Sequence, residues 1–406
     1  MATAQLAALS PEDAIRFLEA RGRTLSPTFA WQDAYAADHA AMFTVAKSAG
    51  FDILRDIHEG LSKALSEGRT IQQFARELTP LLKAKGWWGR QMVADPLTGE
   101  QRPVQLGSTR RLETIFDTNM RVSYAAGHWA GFERTKKSRP FLRYVALLDD
   151  RTRPSHRARH NLVLPVDHPY WEKWAPPCGW NCRCTLQNLS AREIEQLKAE
   201  GEELTFEPPE DTYRSWVNKR TGEVREIPDG IDPGWDYNPG RIGAAVAINE
   251  ALAEKVAAAP FELLQPMVAE RLRSDAFARF LSRPEGSMPV MPIPPAIAEA
   301  LGTEARVAIL SAETMAKQLR NHPEMTRADY LELPAIGGEP TLVFQDGANT
   351  FVLVKLADGR WRYVAAKTTK TGKAAFVLSY RYASDENISR LLSRPGVKVI
   401  IDRREN

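Results

Sequence analysis

Apolar positions repeat at helical spacing through the start of the chain. Ser10 and Pro11 place a cap and a first-turn proline ahead of Ala14, Ile15, Phe17 and Leu18, a run that stops near Gly22. Phe51, Ile53, Leu54, Ile57 and Leu61 recur in the same way up to Gly68, and Thr70 opens a further helix through Phe74 and Leu78. Residues 1–85 are therefore expected to form a helical N-terminal region. Between Gly86 and Gly107 the repeat fails; Trp87, Trp88 and the turn-forming Asp95-Pro96-Leu97-Thr98-Gly99 predict an exposed loop or hairpin. Helical spacing returns over 110–135, carrying Arg111, Glu113, Asn119, Arg121, Tyr124 and Trp129. Leu142, Tyr144, Ala146 and Leu148 then alternate with their neighbours as in a strand.

Residues 201–240 are rich in Pro, Gly, Glu and Asp and end in Pro228-Asp229-Gly230-Ile231-Asp232-Pro233-Gly234, which excludes a regular helix. A second helical pattern covers 241–283, and the five prolines of 284–295 predict an interdomain linker extending to about residue 300. Beyond it come a strand-like run from Val307, a helix from Ser311 to His322 and strand-like runs at 341–344, 350–356, 361–366 and 374–380, followed by a short helix at 386–392. The expected fold class is an α+β multidomain chain. Its N-terminal half is mainly helical, its central domain over 86–240 is rich in loops, and a small α+β domain over 301–406 is built on an antiparallel sheet. No internal repeat of fixed period is present.

A length of 406 residues implies two or three domains, and 43% hydrophobic with 26% charged residues is ordinary for chains that bury a core. The 54 basic and 51 acidic side chains leave a formal charge of +3, too little to draw the whole protein onto nucleic acid, so any such contact needs a local patch. Met1 to Pro11 carries no basic stretch followed by an apolar one, and no apolar run is long enough to span a membrane; a cytoplasmic origin without membrane contact is expected.

All three cysteines, Cys178, Cys182 and Cys184, fall within seven consecutive residues, an odd number packed too tightly for an ordinary disulfide framework. Three thiolates on one loop, completed by His156 or His160 upstream, would make a tetrahedral zinc site. The alternative is that the thiols are small buried packing groups and that His156 caps a turn. Asp149, Asp150, Arg151 and Arg153 suggest acid-base or phosphate chemistry, but a turn ending at Pro154 that bonds its own backbone, with its arginines paired to carboxylates, accounts for them better. His39, His58 and His128 sit in helical patterns and are expected to be satisfied or surface residues, and the Trp87-Trp88 pair to be a packing plug or a partner anchor.

Three blocks occur in order: Arg110-Arg111-Leu112-Glu113-Thr114-Ile115-Phe116-Asp117-Thr118-Asn119, Asp150-Arg151-Thr152-Arg153-Pro154-Ser155-His156, and Pro176-Pro177-Cys178-Gly179-Trp180-Asn181-Cys182-Arg183-Cys184. With the Gly86-Trp87-Trp88-Gly89 turn and the Asp232-Pro233-Gly234 and Asn238-Pro239-Gly240 segments, they resemble the Mu-like phage minor head (head morphogenesis) protein family over roughly the first 240 residues. The resemblance implies a virion protein, present in few copies, made in the host cytoplasm and incorporated into the head during procapsid assembly beside the portal. Its implied partners are portal and head proteins, and it supplies no catalytic residue to carry over.

The segment Ile309 to Ile401 has a resemblance of its own. Leu310-Ser311, Asn321-His322-Pro323-Glu324-Met325-Thr326, Asp329-Tyr330-Leu331-Glu332-Leu333-Pro334 and Leu378-Ser379-Tyr380-Arg381 look like phage-encoded nuclease-like domains of the barnase, EndoU, colicin and RelE group. RNA cleavage without a metal needs a general acid and base and cations for phosphate. His322, Lys355, Lys367, Ser379 and Arg381 are the candidates, with Lys355, Lys367 and Arg381 expected to share one sheet face that meets nucleic acid. The alternatives are a domain that binds nucleic acid without cleaving it, and a His322 that merely ends its helix.

Overall fold

A computed structural model of the chain describes residues 11–48, 50–284, 287–347, 350–357 and 359–404. It divides into two compact units, Met1–Glu250 and Ala251–Asn406.

The first unit opens with the helices Glu12–Gly22, Phe51–Glu67 and Ile71–Ala84 and is organised by the long helix Thr109–Thr135. Ser10 lies outside the described residues, so the cap expected there does too. At the third helix Thr70 and Gln73 form a reciprocal capping box, and Gly68, at φ 68°, ends the second in the left-handed conformation that glycine adopts without a Cβ clash. The periodic apolar residues meet in one core, with Leu18, Leu54, Ile57, Leu61, Phe74, Leu78 and Leu112 all buried. Residues 86–107 form the expected hairpin, β1 (Arg90–Ala94) against β2 (Gln101–Gln105). Trp87 is its plug: it is buried, and its indole N–H donates to the Lys47 carbonyl at 2.7 Å.

Beyond the long helix, β3 (Phe141–Val145) stands between β4 (Val163–Pro165) and β5 (Thr185–Leu189), antiparallel to both. Trp129 from the helix packs into one core with Leu142 and Tyr144. The stretch expected to be irregular contains a second hairpin, β6 (Tyr213–Val217) with β7 (Val224–Pro228). Its turn residue Gly222 has φ 76°, and alternate side chains of β6 are exposed, a period-2 pattern hidden by the charged and turn-forming residues around it.

The second unit is larger than the expected 301–406 domain. Helices Phe261–Arg273 and Asp275–Ser282 supply Val268, Leu272, Phe277 and Phe280 to its main core. The presumed linker is strand β8 (Ser287–Pro292), paired with β9 (Val307–Ser311). Prolines are tolerated there because β8 is the sheet edge, where a missing N–H breaks no ladder, and the pairing shifts between Pro289 and Met291; Met288, Val290 and Met291 are buried. The remaining strands are β10 (Leu342–Gln345), β11 (Thr350–Ala357), β12 (Arg360–Thr368), β13 (Ala375–Ala383) and β14 (Lys398–Asp402). They complete a seven-stranded sheet in the order β14-β10-β11-β12-β13-β9-β8. The sheet is mixed, not antiparallel throughout, because β9 pairs parallel with β13. Parallel neighbours need a long connection between them, and here the helices and strands from 312 to 374 provide it.

Both faces of this sheet are covered. Val343, Leu353 and Val364 point into the main core, while Leu342, Val352, Tyr363 and Ala365 meet Ile388 and Leu391 of the helix Asp385–Leu392. Among the described residues no helix is long and apolar enough to cross a membrane.

Candidate metal centre

The cysteine loop is held by its neighbours before any metal is considered. Pro154 at the first turn starts the short helix Pro154–Arg157, which carries His156 inward, where it is buried. Opposite it the loop 176–184 is tied to the 229–232 turn. The Asp232 carboxylate accepts from the Trp180 backbone N–H and from Arg153, both at 2.8 Å, and the Asp232 N–H donates to the Cys178 carbonyl at 3.1 Å. A Cβ at position 179 would lie 2.4 Å from that carboxylate and would have to displace the Asp232–Arg153 pair. The loop ends in β5, whose pairing with β3 fixes the direction of Cys184.

The result brings three of the four expected ligands together. The Cys182 and Cys184 sulfurs lie 3.7 and 3.5 Å from the same His156 Nδ1. The fully buried Cys178 sulfur falls outside the group of mutually close ligand atoms, although it lies near enough to Cys182 for their charges to interact. His160 is not part of the group, because its Nδ1 faces the Ala146 backbone N–H at 3.2 Å. The His156 Nε2 lies 2.9 Å from the Gly230 carbonyl, which can only accept, so this nitrogen carries the proton. A neutral ring then presents an unprotonated Nδ1 to the two thiols.

The electrostatics follow from burial and crowding. Burial pushes the Cys178 thiol and the Tyr144 phenol well up. Hydrogen bonding from the Cys184 thiol draws the Cys182 thiol down, while Cys184 is raised in turn. Cys182 and Cys184 also line a cleft of about 200 Å³ with Arg121, His128, Trp129 and Pro177. The three cysteines are free thiols.

The Asp149 turn is the structural device expected from its sequence. Asp149 accepts from the Arg151 backbone N–H at 3.0 Å and from the Thr152 hydroxyl at 3.1 Å, and Arg183 grips both its oxygens at 2.6 and 2.5 Å. This guanidinium holds the Asp149 carboxyl well below the usual carboxylate range. Arg183 sits between Cys182 and Cys184, so the ion pair also anchors the loop. No local pattern marked the Gly230 carbonyl or Tyr144 as parts of this centre. Asp232-Pro233-Gly234 stood out as a turn and as part of the family resemblance, with no sign that its carboxylate would tie down the cysteine loop.

In the second unit the five proposed nuclease residues are not assembled. His322 caps the helix Ala312–Asn321 and faces Glu324 at 3.2 Å. Lys355 donates to the Ala335 carbonyl at 3.4 Å on the main-core face, whereas Arg381 lies 4.3 Å over the Tyr363 ring on the opposite face. Lys367 is exposed near the end of β12, and Ser379 is half-buried on β13 opposite Ala365. The expectation of one cationic face is therefore corrected: strand alternation sends Lys355 and Arg381 to different sides of a sheet covered on both. No hydrogen bond or ion pair among the described residues joins any two of the five.

Residues 55–187, which enclose His156 and all three cysteines, match the family described as Phage Mu protein F like protein. The chain is 32% identical over 402 residues to the "Putative capsid assembly protein F" of Escherichia phage Mu, covering 91% of this chain and 89% of that one. It is 34% identical over 241 residues to the Mu-like prophage FluMu F protein of Haemophilus influenzae, 56% of each chain. An uncharacterized protein of Methanocaldococcus jannaschii shares 46% identity over 44 residues, 11% of this chain and 7% of that protein. No solved structure matches the chain. A relationship of that identity along nine-tenths of the length, with the family match taking in the segment that builds the cysteine loop, makes this chain a member of the Phage Mu protein F like family.

Proposed function

We propose that this chain acts in head assembly of a Mu-like tailed bacteriophage, as a minor component of the head that contacts portal and other head proteins. The observation that carries this reading is the near full-length relationship to the phage Mu protein named for capsid assembly. Because the similarity runs through both compact units, the inference is drawn for the whole chain and not for one grafted segment. The test is to delete the coding region from the phage that carries it, examine lysates by electron microscopy, and inventory purified virions and procapsids by mass spectrometry. Defective or missing heads, with the chain present in wild-type particles, are the expected results. Normal infectious heads from the deletion, or absence of the chain from both particle types, would overturn the reading. The other expectation, an RNA-cleaving second unit, has no observation in its favour, since its candidate groups are dispersed over two sheet faces and a helix end.

A further inference from the structure

A zinc ion bonded to thiolate at about 2.3 Å and to imidazole at about 2.0–2.1 Å, with tetrahedral angles, sets a sulfur-to-nitrogen separation of about 3.6 Å. The separations at the cysteine loop are 3.7 Å for Cys182 and 3.5 Å for Cys184, both to His156 Nδ1, and the three ligand atoms lie within 4.8 Å of one another. We propose that His156 Nδ1, Cys182 Sγ and Cys184 Sγ hold one zinc ion and fill three of its four tetrahedral positions.

Three further features support the assignment. The Gly230 carbonyl, 2.9 Å from Nε2, selects the tautomer whose Nδ1 lone pair faces the thiols, the outer-shell arrangement that orients a ligating histidine. Two sulfurs and an imidazole form a soft donor set, which favours zinc over magnesium or calcium; no carboxylate belongs to the group. The half-buried Cys184 and the cleft beside it give an ion a way in. On binding, the metal displaces the thiol protons to solvent and forms bonds to two sulfurs and one nitrogen, with no change of oxidation state. The ion would join two chain segments, the helix Pro154–Arg157 and the end of the cysteine loop that leads into β5, at a place where Pro176, Pro177, Gly179 and Asn181 leave little regular backbone bonding.

The experiment uses the full chain purified with a thiol reductant. Zinc is measured by mass spectrometry of the metal, and the chelated protein is then titrated with cobalt(II). About one zinc per chain and a thiolate-to-cobalt charge-transfer band are expected, as is a lower unfolding temperature after chelation. Altering a mere outer-shell partner costs about 10- to 100-fold in metal affinity, so Cys184→Ser, which removes a ligand, should weaken binding by more than about 100-fold. Folded wild-type protein without zinc and without the cobalt band would overturn the proposal with no reliance on a variant, as would Cys184→Ser and His156→Ala chains that bind as tightly as wild type. Either failure leaves the head-assembly reading intact, because that reading rests on particles and not on metal content.

Discussion

Glu193 shows what one well-placed carboxylate does. It closes a capping box at the start of the helix Ala191–Ala199, accepting from the Ser190 backbone N–H at 2.8 Å and from its hydroxyl at 2.7 Å, and it pairs with Arg139 at 2.6 Å. Bonding to Ser190, more than the arginine, lowers its pKa to about 2. A carboxyl depressed on folding stabilises the native state above its unfolded pKa of about 4.3, and that contribution fades as pH falls toward the folded value. Thermal unfolding between pH 5 and 2, in units set by those two values, should therefore lose this component in wild type, whereas Glu193→Gln, which can still cap, should show a shallower decline. Parallel pH profiles for the two proteins would refute the assignment. At the same scale, His156 and His160 were equivalent candidates in the sequence, and only the contact of each ring separated them, Gly230 and the thiols for one and the Ala146 N–H for the other.

Among elements, one tight constraint lies where helices cross. A Cβ at Gly243, in the helix Pro239–Ala258, would lie 2.6 Å from the Ala126 Cβ of the long helix and 3.2 Å from the Phe17 ring. Gly→Ala inside a helix gains about 1 kcal/mol in propensity, but Ala126 has no rotamer with which to move aside, and overpacking a core costs about 1–3 kcal/mol. Gly243→Ala should therefore destabilise the chain by about 1 kcal/mol net, visible as a lower urea midpoint with an unchanged slope. An equal or higher midpoint would mean that the helices separate without cost. The Thr70 cap offers a simpler case: Thr70→Ala should cost about 1 kcal/mol by leaving the Gln73 N–H without its side-chain acceptor.

For the molecule as a whole, the arrangement of the second unit bears on catalysis. General acid-base groups act within hydrogen-bond reach of one reacting atom, and His322, Lys355 and Arg381 are each engaged elsewhere. The full chain incubated with RNA between about pH 5 and 8, where an unperturbed imidazole titrates, should leave it intact, and His322→Ala should behave identically. Cleavage that disappears in His322→Ala would restore the catalytic reading.

The sequence by itself determined the elements whose periodicity is local: the N-terminal helices with the Thr70 cap, the helix Thr109–Thr135, the Trp87 plug, five strands of the large sheet, and the turn around Asp149. It also marked the cysteine loop and supplied the family resemblance, because short-range spacing and motif order are written directly in the chain. Only the tertiary structure decided what depends on partners far apart in sequence. It turned the prolines of 287–292 into an edge strand, because an edge does not need the N–H that proline lacks. It set β9 parallel to β13 and recruited the helices before residue 283 to that unit's core. It also chose His156 over His160 and left the Cys178 sulfur outside the close group, since ligand geometry is fixed by the meeting of residues 156, 182, 184 and 230, a coincidence in space that no local pattern encodes.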